Sequence, residues 1–499
     1  MTVIKRITAF CLSAVLVLCL FTGCSEIADA STDDGKIHYR NETDILLSDD
    51  KITANGRTVY KTISNIYISN DVVYYEDRDY YDSGRPYGLG LDSDKHSAEE
   101  AAAVTVLNIT QAGTYRLSGK LSNGQIRIDL SKRARSNANA VVTLVFDGLD
   151  INCDIAPAIV FRNVYECELN TSSKTASSNV DTSGAGANII IADGSINSIS
   201  GSHVAKIYKD NDDEKKRWKQ DGTIYSYMSL NINGEAENSG ILNVTADFEG
   251  ISAEKHISVN GGNICIIAQN DGINVNDDYS SVTINGGNLR IMAGLSEDGG
   301  DGIDSNGWIV VNGGTTVSIG HRSTDSGVDD EKGYYANGGT LISFGSHIDW
   351  ADYESRETSF NLEFAEEISS CDAVIITDKD GNAVFCYEGY RDDILSRYPC
   401  QRQGVNITSP VFNIGESYNL YIGRSTEDFA CVTGSETNGI YDVSTITETD
   451  AVQQVYYSND DIFHGGFRAQ DGKNYDIPYS DFVMSKTVSS FALIEDIAG

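Results

Sequence analysis

Proline is scarce in this 499-residue chain, with 5 residues, and tryptophan and methionine are scarcer still, with 3 and 4. Basic residues are few against acidic ones, 37 Lys and Arg to 73 Asp and Glu, for a net charge of −36. That deficit excludes a nucleic-acid binder, which needs basic surface to neutralise phosphates. It also excludes simple electrostatic attraction to anionic lipid or to an acidic polymer. No HExxH, CxxC pair, GxSxG or P-loop occurs, so the usual signatures of zinc, redox, serine-hydrolase and nucleotide chemistry are missing. What is abundant is glycine, at 47 residues, together with Asp, Asn, Ser and Thr. Those residues favour turns and strands over long helices, and so many carboxylates point to divalent cations as natural partners.

One apolar run stands at the N-terminus. Lys5 and Arg6 precede Ile7–Leu20, about 14 residues and short for a bilayer span. The run ends in Leu20-Phe21-Thr22-Gly23-Cys24, which resembles a bacterial lipobox, with Phe21 where Leu is usual. The resemblance implies cleavage after Gly23, a lipid on Cys24, and an exported chain anchored on the outer face of the bacterial cytoplasmic membrane. Ten Cys fall to seven without Cys11, Cys19 and Cys24. Cys371 and Cys386 flank a hairpin pattern and could pair across it.

The organising feature is a repeat. Segments 257–273, 282–303, 309–328 and 333–346 each carry a short apolar strand, Asn-Gly-Gly, a second strand and, in the first three, an acidic Gly turn. The marker residues Asn260, Asn285, Asn312 and Asn337 are spaced 25, 27 and 25 apart, and Asn233-Gly234 begins an earlier copy. A period of this size without helices predicts stacked coils, one per repeat: an all-β, right-handed parallel β-helix with a small β-rich C-terminal cap. Coils stack about 4.8 Å apart, so equivalent residues touch. Ile257, Val282 and Ile309 form one apolar ladder, Val259, Ile284 and Val311 a second, and Ile251, Ile273, Ile303 and Val328 a third. The Asn column is a structural turn ladder whose amides can bond up the stack. The boundaries follow: 1–24 leader, 25–95 linker or cap, 96–350 coils, 351–430 cap, 431–499 polar tail.

Stacking also gathers acid. Glu249, Asp271, Asp301 and Asp325 share one neighbourhood, with Asp304 close by. Like charges about 5 Å apart repel by roughly 1 kcal/mol per pair in water. A hard cation reverses that sign, and Ca²⁺ takes six to eight oxygens from carboxylates and carbonyls. These five residues are therefore the candidate metal ligands, and Ca²⁺ the expected cofactor.

Residues 112–129, 142–151 and the Asp-Gly-Ile and Asn-Gly-Gly coils resemble the carbohydrate-binding β-helix proteins of clostridial bacteria. Residues 406–423 resemble the strand pair that closes them. The likeness covers roughly 95–425. It implies a pectate-lyase-like fold, bound Ca²⁺, and cellulose or acidic pectic polymers as partners. The charged insertion 205–229 departs from the family pattern, where a short acidic turn and usually a Lys stand. The expected function is therefore a cell-surface lipoprotein that binds polysaccharide without cleaving it. The alternatives are a calcium-dependent lyase, with Lys255 as the weak candidate base and Lys206 behind it, or a structural envelope protein.

Overall fold

The computed structural model describes residues 36–75, 92–209 and 212–352 and, in shorter stretches, parts of 354–492. The leader with Cys24, and most of 431–499, lie outside the described residues. The fold is all-β. Among the described residues the sole α-helix is Ala98–Ala103, opened by a capping box between Ser97 and Glu100. No helix among them is long and apolar enough to cross a membrane.

Short strands pair in parallel with their equivalents one repeat further on, in three columns. The first runs through Gly113–Leu121, Val142–Cys153, Ala187–Ile191, Leu230–Gly234, Ile257–Val259, Ser281–Ile284, Trp308–Ile319 and Gly333–Gly345. The second joins Ile196–Gly201, Ile241–Ala246, Asn263–Ala268 and Asn288–Met292. The third runs from Thr105–Ile109 through Gly124–Asp129, Ile159–Asn163, Gly222–Ser226, Glu249–Ala253, Ile273–Val275 and Ile303–Ser305 to Val328–Asp330.

The first two columns are not separate sheets. Val142–Cys153 pairs with both Ala187–Ile191 and Ile196–Gly201, and Trp308–Ile319 with both Ser281–Ile284 and Asn288–Met292. The pairings therefore close into a ring of ten parallel strands, with the third column and further strands outside it. This ring differs from the expected right-handed parallel β-helix. The reason is local: Gly148 at φ +83° and Gly314 at φ +83° let a long strand turn a corner without leaving its ladder.

The apolar ladders hold in register. Ile257 faces Val282 and then Ile309, and Val259 faces Ile284 and then Val311. Ile251, Ile273, Ile303 and Val328 align down the third column, all 2% exposed or less. Each buried side chain contributes about 1.5–3 kcal/mol. One ladder departs from the hydrophobic letters. Leu289 and Ile291 face Thr316 and Ser318, not Val317 and Ile319. Ser318 is accommodated inside because its hydroxyl donates to the Gly327 carbonyl at 2.5 Å.

The marker asparagines stand in one column. Asn260 donates to Asn233 Oδ1 at 2.9 Å, Asn285 to Asn260 at 2.8 Å, Asn312 to Asn285 at 2.9 Å and Asn337 to Asn312 at 3.3 Å. Beside them Gly287 sits at φ +89°, where an added Cβ would lie 2.8 Å from the Gly262 carbonyl oxygen.

The ends of the stack are covered differently. Thr43–Leu47 adds a parallel strand against Gly113–Leu121, and Ile66–Ser69 pairs antiparallel with Thr105–Ile109. At the other end Gln401–Thr408 pairs antiparallel with Gly333–Gly345 and with Ser359–Ser369, which ends the parallel order. The charged insertion forms an antiparallel pair, Val204–Lys209 with Asp212–Gln220.

Candidate functional site

The acidic turns lie where the chain enters the third column. Register is set by the buried isoleucines, so the residue two places before each one stacks on its equivalent. That column is Glu249, Asp271, Asp301 and Ser326. Asp325 stands one residue outside it, because Ser326 occupies the position before Gly327-Val328. Asp325 still joins the group, because its Oδ2 accepts from the Gly300 N–H at 2.7 Å. Asp304 is half-buried in the adjacent column, in register with Asn274 on one side and Asp329 on the other.

The column carboxylates are buried, with Glu249 at 3%, Asp271 at 7% and Asp301 at 8% exposure. They are tied to the backbone of the next coil. Asp271 Oδ1 accepts from Asp301 N–H at 2.8 Å, and Asp301 Oδ1 from Ser326 N–H at 2.7 Å. Asn274 Nδ2 donates to both Glu249 Oε1, at 3.0 Å, and Asp271 Oδ2, at 2.9 Å. Among the described residues none of these three carboxylates forms an ion pair. Burial, reinforced by the Glu249 charge, pushes the Asp271 carboxyl up to about 7. Burial, with the charges of Asp271, Asp329 and Asp325 adding to it, pushes Asp301 up to about 9.

Two buried oxygens here have no donor: Glu249 Oε2 and Asn274 Oδ1. Each such atom costs about 1–3 kcal/mol unless something satisfies it. Carboxylate and amide oxygens without donors suit a hard cation in chemistry. Among the described residues no group of three or more His, Cys, Asp or Glu is arranged to hold a metal. A cation at this point would draw on Glu249, Asp271 and the Asn274 side-chain amide oxygen.

Lys255 is not part of this group. It lies past the far end of Glu249–Ala253, six residues from Glu249, a path of about 20 Å along extended chain. Its ammonium donates to Asp277 Oδ2 at 2.5 Å. Burial raises the Asp277 carboxyl, but the Lys255 hydrogen bond and charge outweigh it and hold the group below its ordinary range. A base for proton abstraction beside a metal-bound carboxylate is therefore not formed by Lys255 and the acidic column. For Lys206 only its place in the strand Val204–Lys209 is described.

Sequence reasoning passed over the turn leading from the third column into the first. Tyr279, Trp308 and Lys332 meet there: the Lys332 ammonium sits 5.4 Å from the Tyr279 ring centre and 5.9 Å from that of Trp308. The available signal was the scarcity of Trp and the place of all three at or just before a first-column strand.

Residues 103–382, more than half of the chain and nearly all of the stack, match the family described as carbohydrate-binding domain-containing protein. The chain belongs to that family. Among solved structures the chain is similar to a polysaccharide lyase-like protein from C. thermocellum, in its gadolinium derivative. Identity is 22%, over 59% of this chain and 91% of that one, with a TM-score of 0.31. At that score the likeness carries no argument about the site. No curated protein matches the sequence.

Proposed function

We propose that this family member binds polysaccharide at the bacterial cell surface, tethered through lipid on Cys24, and does not cleave it. The observation that carries the reading is the family match over 103–382, the residues that build the stacked coils. Coils that repeat every 25 to 30 residues present a long, rigid surface, which suits a polymer more than a small molecule. We read the winding as a right-handed parallel β-helix.

Calcium belongs to the same proposal. Glu249, Asp271 and Asn274 would hold it, and it would neutralise the buried acid column and stiffen the coils around it. The burial of Asp271 and Asp301 argues against the sequence-based idea that they bridge through Ca²⁺ to an external uronate. The lyase alternative gains nothing from Lys255, which is paired to Asp277 away from the acids.

Affinity electrophoresis of the full chain through gels containing cellulose derivatives, polygalacturonate or neutral pectic polymers tests the reading. Retardation in at least one gel, without shortening of the polymer, is expected. Free migration in all of them would overturn it.

A further inference from the structure

We propose that the ridge formed by Tyr279, Trp308 and Lys332 is the surface on which a uronate-bearing glycan lies. This inference rests on the polysaccharide-binding reading and specifies where the polymer sits and what chemistry selects it.

The ridge is built by the stacking. Ser281 is in register with Trp308, and Trp308 with Gly333. Tyr279, Trp308 and Lys332 therefore come from three successive coils, spaced about 4.8 Å apart, comparable with the length of one hexose. The backbone beneath is fixed. Trp308 N–H donates to Ser280 O at 3.0 Å, Lys332 N–H to Gly307 O at 2.9 Å, and Asn306 Nδ2 to Asn276 O at 2.8 Å. A binding surface on such a ladder is organised before its ligand arrives, which lowers the entropy cost of association.

The rings are placed for contact with something outside the protein. Tyr225 and Tyr334 are wholly buried and serve the core, whereas Tyr279 and Trp308 are half-buried. An aromatic face open to water stacks well against the C–H face of a sugar while its edge meets the polar rim.

Lys332 decides the charge of the ligand. It is exposed, held over both rings, and donates to the Asn306 carbonyl at 3.0 Å. Among the described residues it forms no ion pair. Lys255, on an earlier coil at the same turn, is neutralised by Asp277. In a chain of net charge −36, a cation that forms no ion pair among the described residues and lies over two half-buried rings is matched to an anion brought by the ligand. Stacking for the ring and a charge-assisted hydrogen bond for a carboxylate together describe a uronic acid residue.

The test is calorimetric titration of the full chain, and of its Lys332→Gln and Trp308→Ala variants, with oligogalacturonate and with a neutral cello-oligosaccharide. Circular dichroism and melting temperature establish that each variant is folded, with Tyr279→Ala standing in should Trp308→Ala not fold. Lys332→Gln should weaken oligogalacturonate about tenfold or more and the neutral oligosaccharide less than about threefold. Removing a ring should weaken every ligand that binds. If the wild type binds oligogalacturonate and the folded variants bind it equally well, the ridge is overturned and the polysaccharide-binding reading stands. Equal weakening of both ligands by Lys332→Gln overturns the uronate assignment. If the wild type binds no polysaccharide at all, the underlying reading falls and this inference with it.

Discussion

Asp301→Asn should make this protein more stable at alkaline pH, not less. Burial raises the Asp301 carboxyl from 3.8 to about 9, so the folded chain holds a proton that the unfolded chain releases. Below the ordinary carboxyl range both states are protonated and the group costs nothing. As pH rises through the window from about 4 to about 9, stability is progressively lost, by up to about 1.4 kcal/mol per pH unit. Between about pH 5 and pH 8 the ceiling for Asp301 alone is therefore about 4 kcal/mol, and solvent relaxation around the site reduces it to roughly 2–4 kcal/mol. The asparagine retains an oxygen for the Ser326 N–H, which Asp301 Oδ1 now accepts at 2.7 Å, so its own cost stays near 1 kcal/mol. At roughly 2–4 °C per kcal/mol, wild type in chelator should lose about 5–15 °C of melting temperature across that range. Asp301→Asn should lose clearly less and melt above wild type at about pH 8. Differential scanning calorimetry in chelator at closely spaced pH values reads both curves. A wild-type curve that is flat, or a variant curve that runs parallel below it, would refute the reasoning that Asp301 is buried without a compensating charge.

Adding Ca²⁺ at about pH 8 should raise the wild-type melting temperature, by about 2.7 kcal/mol of stability at a hundredfold excess over Kd. Glu249→Gln should abolish most of that gain while folding normally in chelator, and an undiminished response would remove Glu249 from the site. Asn285→Ala breaks two links of the amide column, at 2.8 and 2.9 Å, and should cost about 1–3 kcal/mol by chemical denaturation with the neighbouring coils intact. No lyase turnover is expected on polygalacturonate with Ca²⁺, read as unsaturated uronate by ultraviolet absorbance. Steady turnover that Lys255→Ala abolishes would contradict the placement of Lys255 away from the acids.

The stacked order was legible because a 25 to 27 residue period repeats the same letters at the same faces, and the Ile and Val ladders fall in register as those letters predict. Asp325 lies beside Asp301 as the shared neighbourhood predicts, but the column itself does not follow the acidic letters. Burial of Val328 fixes the register instead and puts Ser326 in the column. The interior places of Thr316 and Ser318 are not marked by hydrophobic letters, because Val317 and Ile319 run one place off the register. Closure of the first two columns into a ring depends on how far a strand continues past a glycine corner, which no local pattern specifies. The ridge was invisible for a related reason. Tyr279, Trp308 and Lys332 stand at different offsets from their strands, two before, level with and one before, so only the stack brings them together. The insertion 205–229 stands out as a charged departure, and its acidic block followed by a basic block hides an antiparallel strand pair.

Hydrogen–deuterium exchange of the full chain with and without a bound oligosaccharide tests the central claim, that the stacked coils are the glycan-binding surface. The account predicts slowed exchange within 103–382, concentrated at the turns 276–280, 305–308 and 331–333. A ligand that binds and leaves exchange throughout 103–382 unchanged, with protection only in the C-terminal strands, would contradict it.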